Sequence, residues 1–302
     1  MLSGNDTITG TSIVNGINND GIQNDGIIDT GAGDDRIAGT GDDTIAATGG
    51  FGIYNLGTIK TGDGKDTISA TSTNNAAILN AGGSIINTGD GNDTISSTSV
   101  GSFGIFNFGT INTSNGNDTI TGNSSFNFGI YNNGGTIDTG AGNDILIGNT
   151  TNAGSANNYG IVNENGGTIN TGDGNDTIIG NAGSIGFDIY NNGTIDSGTG
   201  NDIVDALTGG FGSNGIYLLG DGNDIVKGFG NGRFDGGNGN KDKLLFGTGS
   251  YTVSNAANLD GFYTVSNGTT DMFVKNFEFI GSASSPAATF SFSSVIGQTF
   301  IV

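Results

Sequence analysis

The chain has 302 residues, including 60 glycines and one proline, and lacks cysteine and histidine, which excludes disulfides, thiol catalysis, haem ligation and the usual zinc sites. Its formal net charge is −21, from 29 acids against 8 bases, so it offers no basic surface for nucleic-acid phosphates or anionic lipid. Low hydrophobicity alone would suggest disorder, but Ile, Phe and Tyr recur at fixed places, which argues for an ordered repeat protein.

In chain order, residues 1–6 (MLSGND) carry neither a positive n-region nor an apolar h-region, so no Sec signal is read there. Ser3-Gly4-Asn5-Asp6-Thr7-Ile8 resembles the last strand of a repeat, and a degenerate unit begins at Gly21. A tandem pair of glycine-aspartate motifs follows, Gly31 to Ile37 and Gly39 to Ile45. The fullest unit is FGIYNLGTIKTGDGKDTI, Phe51 to Ile68, and it returns at Phe103, Phe128, Tyr159 and Phe187. Unit starts at residues 21, 52, 77, 104, 129, 160, 188 and 215 lie 25 to 31 residues apart, separated by Ser-, Thr-, Asn- and Gly-rich loops.

Each unit holds three short β-like runs. Phe51, Ile53 and Asn55 alternate with Gly52 and Tyr54, then come Gly57-Thr58-Ile59 and Asp66-Thr67-Ile68. No helical period survives between the glycines. Three such strands bury no core alone, but stacking does, so the expected fold is an all-β parallel β-solenoid of about nine coils over residues 1–246. Residues 247–302, where the repeat stops, are expected to form a small β-rich cap.

Stacking predicts columns. One holds Ile53, Ile78, Ile105, Ile130, Ile161, Ile189 and Ile216; a second holds Ile59, Ile85, Ile111, Ile137, Ile169 and Ile195. A third holds Ile68, Ile95, Ile120, Leu146, Ile178, Val204 and Val226. Asn55, Asn80, Asn107, Asn132, Asn163 and Asn191 should form an amide ladder at a bend. Tyr54, Phe106, Tyr131, Tyr190 and Tyr217, with Leu79 and Val162 between, should form an outward stripe, and Thr58, Thr110, Thr136, Thr168 and Thr194 a threonine row.

Between the second and third runs lies Gly-x-Gly-x-Asp, followed two places on by an aliphatic residue. Its copies end at Asp35, Asp43, Asp66, Asp93, Asp144, Asp176, Asp202 and Asp224, with weaker copies at Asp6 and Asp118, the latter having Ser114 in place of the first glycine. A glycine pair makes a tight turn with exposed carbonyls, and the aspartate adds a hard carboxylate oxygen; Ca²⁺ takes such ligands. The candidate ligand positions are Asp35, Asp43, Asp66, Asp93, Asp118, Asp144, Asp176, Asp202 and Asp224. The glycines are Gly31, Gly33, Gly62, Gly64, Gly89, Gly91, Gly140, Gly142, Gly172, Gly174, Gly198, Gly200, Gly220 and Gly222.

Gly-Asp-Gly-Asn-Asp-Thr-Ile, at 89–95 and 172–178, resembles the glycine- and aspartate-rich nonapeptide of RTX proteins, which Gram-negative bacteria, cyanobacteria included, secrete. The resemblance implies Ca²⁺ between vertically stacked turns, roughly eight to ten ions here. This chain carries the motif once per long coil, which implies one row of ions instead of two. The terminal Thr299-Phe300-Ile301-Val302 is similar to the ending of type I secretion substrates, with Thr299 where an acid is usual.

The bases Arg36, Lys60, Lys65, Lys227, Arg233, Lys241, Lys243 and Lys275 form no column, and the acids repeat where a catalytic site would break the repeat once. The expectation is a non-enzymatic, secreted, calcium-folded structural protein of a bacterial cell surface, matrix or filament. The alternatives are a calcium-dependent binding module for ice or carbohydrate, or a β-helix enzyme acting on polysaccharide. No apolar run is long enough for a membrane span, and a motif at the first residues suggests head-to-tail self-association.

Overall fold

Alternation within each unit becomes three short strands per coil, each hydrogen-bonded to its counterpart in the next coil. The computed structural model describes residues 4–12, 19–42, 50–152, 158–183 and 185–302. Its strands form three long sheets of 12, 8 and 13 strands, and every coil-to-coil pair in the repeats is parallel. The architecture is a parallel β-solenoid, with one helical turn, Phe292–Val295.

In one representative coil the strands are Ile53–Asn55, Thr58–Lys60 and Thr67–Ser72. Ile53, Ile59 and Ile68 point inward and are fully buried. The third column runs as expected and continues at both ends, from Ile8 and Ile37 to Leu244 and Ile280. Burial of these side chains at ~1.5–3 kcal/mol each is the main favourable term of the fold.

Three column assignments need correction: Ile85 and Ile216 leave the aliphatic columns, and Tyr217 leaves the outward stripe for the core. Ile59 stacks on Ile86, leaving Ile85 outward and 40% exposed. Ile189 stacks on Phe211, while Ile216 pairs with Thr194 and Tyr217 falls in the second column, buried beneath Phe234 with rings 4.2 Å apart. The reason is the same in each case. The inward residue of the second strand lies three places before the turn glycine, as Ile59 does before Gly62, Ile86 before Gly89 and Tyr217 before Gly220. Distance from the upstream motif varies with the loop, whereas distance to the turn does not.

The second glycine-aspartate motif of the tandem pair is no turn. Gly39 and Gly41 lie within strand Arg36–Gly41, and Asp43 lies outside the described residues. Gly39 occupies the small inward site filled by Ala70 and Ser97 in later coils. A Cβ there would stand 2.0 Å from the carbonyl oxygen of Gly52, so its glycine serves close approach at a corner.

The amide ladder forms and starts one coil earlier than expected. Asn24 Nδ2 donates to Asn55 Oδ1 at 2.8 Å, and the same bond repeats from Asn55, Asn80, Asn107, Asn132 and Asn163 to the next asparagine at 2.8–2.9 Å. The outer aromatics stack mostly on each other, as Phe106 does on Tyr131 at 4.9 Å and Tyr159 on Tyr190 at 5.1 Å. Ile85 interrupts the threonine row between Thr58 and Thr110.

Past residue 246 the sequence repeat is gone, but the stack continues. Asp271–Lys275 and Phe279–Ser282 pair in parallel with Arg233–Asp235 and Lys243–Phe246. Antiparallel strands Tyr263–Ser266 and then Ser250–Val253 follow Asp271–Lys275 in its sheet, Thr289–Ser291 follows Phe279–Ser282 in the other, and the final strand Thr299–Ile301 pairs with Ser250–Val253 through a buried Phe300. The Phe262 ring lies 4.5 Å from the Arg233 guanidinium and 4.9 Å from the Lys275 ammonium, which pins this segment to the last coil.

Candidate metal centre

The glycine-aspartate turns line up between the 13-stranded and 12-stranded sheets, as Gly62 to Asp66 does between Thr58–Lys60 and Thr67–Ser72. Gly62 and Gly64 adopt φ of 103° and 148°, which side chains with a Cβ rarely reach. Ser114, at the first-glycine place, takes φ 67° and keeps the turn. A Cβ on Gly64 would stand 2.0 Å from the Gly33 carbonyl oxygen and one on Gly174 1.6 Å from that of Gly142. Conformation and coil stacking therefore account for the glycines without any ion.

The turn carbonyls divide into two groups. Those of the middle residue are engaged in the stack, with Gly33 N–H donating to Asp63 O at 2.8 Å and Gly174 N–H to Thr199 O at 2.6 Å. Several first-glycine carbonyls are also engaged, Gly172 O accepting from Thr199 N–H at 2.8 Å. Among the described residues, the second-glycine carbonyls, such as Gly33, Gly64, Gly142 and Gly174, accept no backbone hydrogen bond. The expectation that all the turn carbonyls stand free is thus narrowed to the second glycines and the first glycines Gly31, Gly62 and Gly89.

The aspartates form one continuous row. Asp6 N–H donates to Asp35 Oδ1, Asp35 N–H to Asp66 Oδ1, and so on through Asp93, Asp118, Asp144, Asp176, Asp202, Asp224 and Asp242, at 2.7–2.8 Å. Asp242 N–H then donates to Glu278 Oε2 at 2.9 Å. From Asp35 to Asp242 these residues are at most 2% exposed. The other oxygen, Oδ2, is buried without a hydrogen-bond partner in every one of them and in Asp6. The nearby hydroxyls of Thr61, Thr113, Thr139 and Thr171 donate along the stack to the next coil's carbonyl at 3.0–3.3 Å.

Eight of the nine aspartates named from the sequence are brought together; the ninth, Asp43, lies outside the described residues. Sequence reasoning missed Glu278 and left Asp6 and Asp242 unassigned, the latter because it stands one residue out of register. The signal lay in the acid standing two places before the inward aliphatic of the third column, as in Asp242-Lys243-Leu244 and Glu278-Phe279-Ile280. The glycine spacing, slipped by one residue in GGNGNKD, concealed it.

Burial, helped by the charges of neighbouring acids, pushes the carboxyls of Asp93, Asp176, Asp202 and Asp224 up to about 7 against the lowering effect of their hydrogen bonds. Asp118 and Asp242 rise to about 6 for the same reasons. Coils about 4.8 Å apart put neighbouring charges at a repulsion of about 3.5 kcal/mol for an effective dielectric of 20. A fully ionised row without counter-charges would be repulsive along its length.

An asparagine at these positions would accept the same N–H and donate its amide to a carbonyl, as the ladder from Asn24 to Asn191 does. Packing therefore explains Oδ1, while Oδ2 makes no hydrogen bond and has only a turn hydroxyl, such as that of Thr88 for Asp93, beside the carboxyl. Among the described residues no group of three or more acids is placed to hold a metal ion, so an ion here would have at most two carboxylates, from stacked coils, and would need backbone carbonyls and water as its other ligands. That all-oxygen, adaptable donor set fits Ca²⁺ and does not fit softer transition metals. No family model, curated protein or solved structure matches the chain, so the site rests on its own geometry.

Proposed function

We propose that the aspartate row binds Ca²⁺, roughly eight to ten ions, and that the chain is a secreted, calcium-folded structural protein of RTX type. Its place is a bacterial cell surface, extracellular matrix or filament, reached by type I secretion. The observation that carries the calcium reading is the buried, unpaired Oδ2 repeated coil after coil from Asp6 to Asp242. The structural reading follows from periodicity: the acids serve one repeated purpose, and the threonine row that would present a regular hydroxyl face is broken at Ile85. The reading is of a non-enzyme, since the row supplies no acid–base pair set apart from the repeat.

Ions bound only by the folded state stabilise it by mass action. Ion counting by equilibrium dialysis, with far-ultraviolet circular dichroism in millimolar Ca²⁺ and in chelator at pH 8, tests the proposal. Several ions per chain and a β-rich spectrum that collapses on chelation are expected. A chain that takes up no calcium, or whose spectrum and melting temperature ignore chelation, would sink it.

A further inference from the structure

Glu278 lies outside the repeats, yet it stands where the next coil's aspartate would. Asp242 N–H donates to its Oε2 at 2.9 Å, and Phe279 N–H donates back to Asp242 O at 3.0 Å. The same backbone relation joins Lys243 N–H to Asp224 O at 2.8 Å within the repeats. The C-terminal segment thus supplies the last member of the row. Phe292 N–H donates to Glu278 O at 2.7 Å, which ties the helical turn Phe292–Val295 to the same residue.

Asp242 is fully buried and its Oδ2 is unpartnered. The carboxylate sits in a cradle that only glycine leaves open: a Cβ on Gly239 would stand 2.4 Å from Oδ2 and 2.6 Å from Oδ1, and one on Gly236 3.3 Å from Oδ2. Among the described residues neither Asp242 nor Glu278 has a salt-bridge partner. Glu278 is half-buried and lines a cavity of about 350 Å³ together with Phe277, Phe279, Phe292 and Ile296. This end of the row meets solvent, while its interior members are sealed between coils.

We infer that Asp242 and Glu278 form a terminal divalent-cation site, suited to Ca²⁺, that locks the C-terminal segment onto the last coil. The inference rests on the calcium reading of the row. Two carboxylates from separate segments would share one ion, so cap docking and ion binding are a single linked equilibrium. The hydrophobic underside of the cap supplies affinity, and the ion makes docking calcium-dependent.

The test is hydrogen exchange on the full chain across a Ca²⁺ titration, with ion counting on the same samples. In the unmodified protein, amide protection at Phe279–Ser282 and Phe292–Val295 should rise with calcium. Glu278→Gln keeps the acceptor for Asp242 N–H but loses the charge. It should bind one ion fewer and raise the calcium midpoint of cap protection by at least about tenfold, as expected for removing a charged ligand. Glu278→Asp should restore part of the shift, and Asp93→Asn, in mid-row, should lower the ion count without altering cap coupling. Calcium uptake by the coils with cap protection indifferent to calcium, or with Glu278→Gln behaving as the unmodified protein, would overturn the inference alone. No uptake anywhere would instead overturn the reading of the whole row.

Discussion

In Asp93 the two carboxylate oxygens part company, and the proposed calcium row would give one to folding and the other to the ligand. Oδ1 accepts the buried N–H of Asp66 at 2.8 Å, while Oδ2 is buried with no partner. Substitutions separate the two roles. Asp93→Asn keeps an acceptor for the N–H and removes the charge, so in chelator it should be neutral or stabilising. In Ca²⁺ it should raise the calcium midpoint and lower stability relative to the unmodified protein. Asp93→Ala strands the Asp66 N–H, at about 1–3 kcal/mol, and should destabilise under both conditions. Urea melts with and without calcium at pH 5, where protons support the fold in chelator, check this, with exposed Asp25→Ala as the control for a charge outside the row. Equal behaviour of Asn and Ala in chelator would show that the N–H bond is immaterial.

The strands show which signals in the sequence were reliable. Three runs per unit, the third aliphatic column and the amide ladder were all legible, because each residue type there has one stable place in a stacked coil. Errors arose where two aliphatic residues stood side by side or where a motif was copied imperfectly. Ile85-Ile86 gives no local sign of which faces inward, and Gly215-Ile216-Tyr217 mimics the start of a unit while forming its second strand. Gly39-Thr40-Gly41 reads as a turn by composition but is extended strand, because its glycines answer to crowding and not to φ. At the site, the aspartate row was legible through the glycine turns, and its extension to Asp242 and Glu278 was hidden where those turns slip or vanish. The register makes a direct prediction. Ile86→Ala should cost about 2–5 kcal/mol by opening a cavity in the second column, whereas Ile85→Ala, at 40% exposed, should cost under about 1 kcal/mol. Denaturant midpoints decide it, and the reverse order would return Ile85 to the core.

Over the whole molecule, the proposed calcium row would couple protons, calcium and stability. A solenoid's stability is the sum of its coils and their interfaces, so a charge problem repeated in each interface accumulates along the stack. Asp93, Asp176, Asp202 and Asp224 rise from 3.8 in the open chain to about 7 in the folded one, chiefly through burial. A folded value above the unfolded one means the folded state binds protons more tightly. Their contribution is therefore fully present below about pH 4 and is lost as pH climbs through 7. The −21 formal charge adds self-repulsion in the same direction. In chelator, the melting temperature should fall progressively from pH 5 to pH 8, the reverse of the usual behaviour of salt-bridged carboxylates. Calcium competes with those protons, so saturating Ca²⁺ should flatten the profile, and the stabilisation it confers should be larger at pH 8 than at pH 5. Thermal melts at the two pH values, each with calcium and with chelator, measure all of these terms together. A chelated protein as stable at pH 8 as at pH 5 would mean that the buried carboxylates are ionised without cost. Neither protons nor calcium would then be what holds the row together.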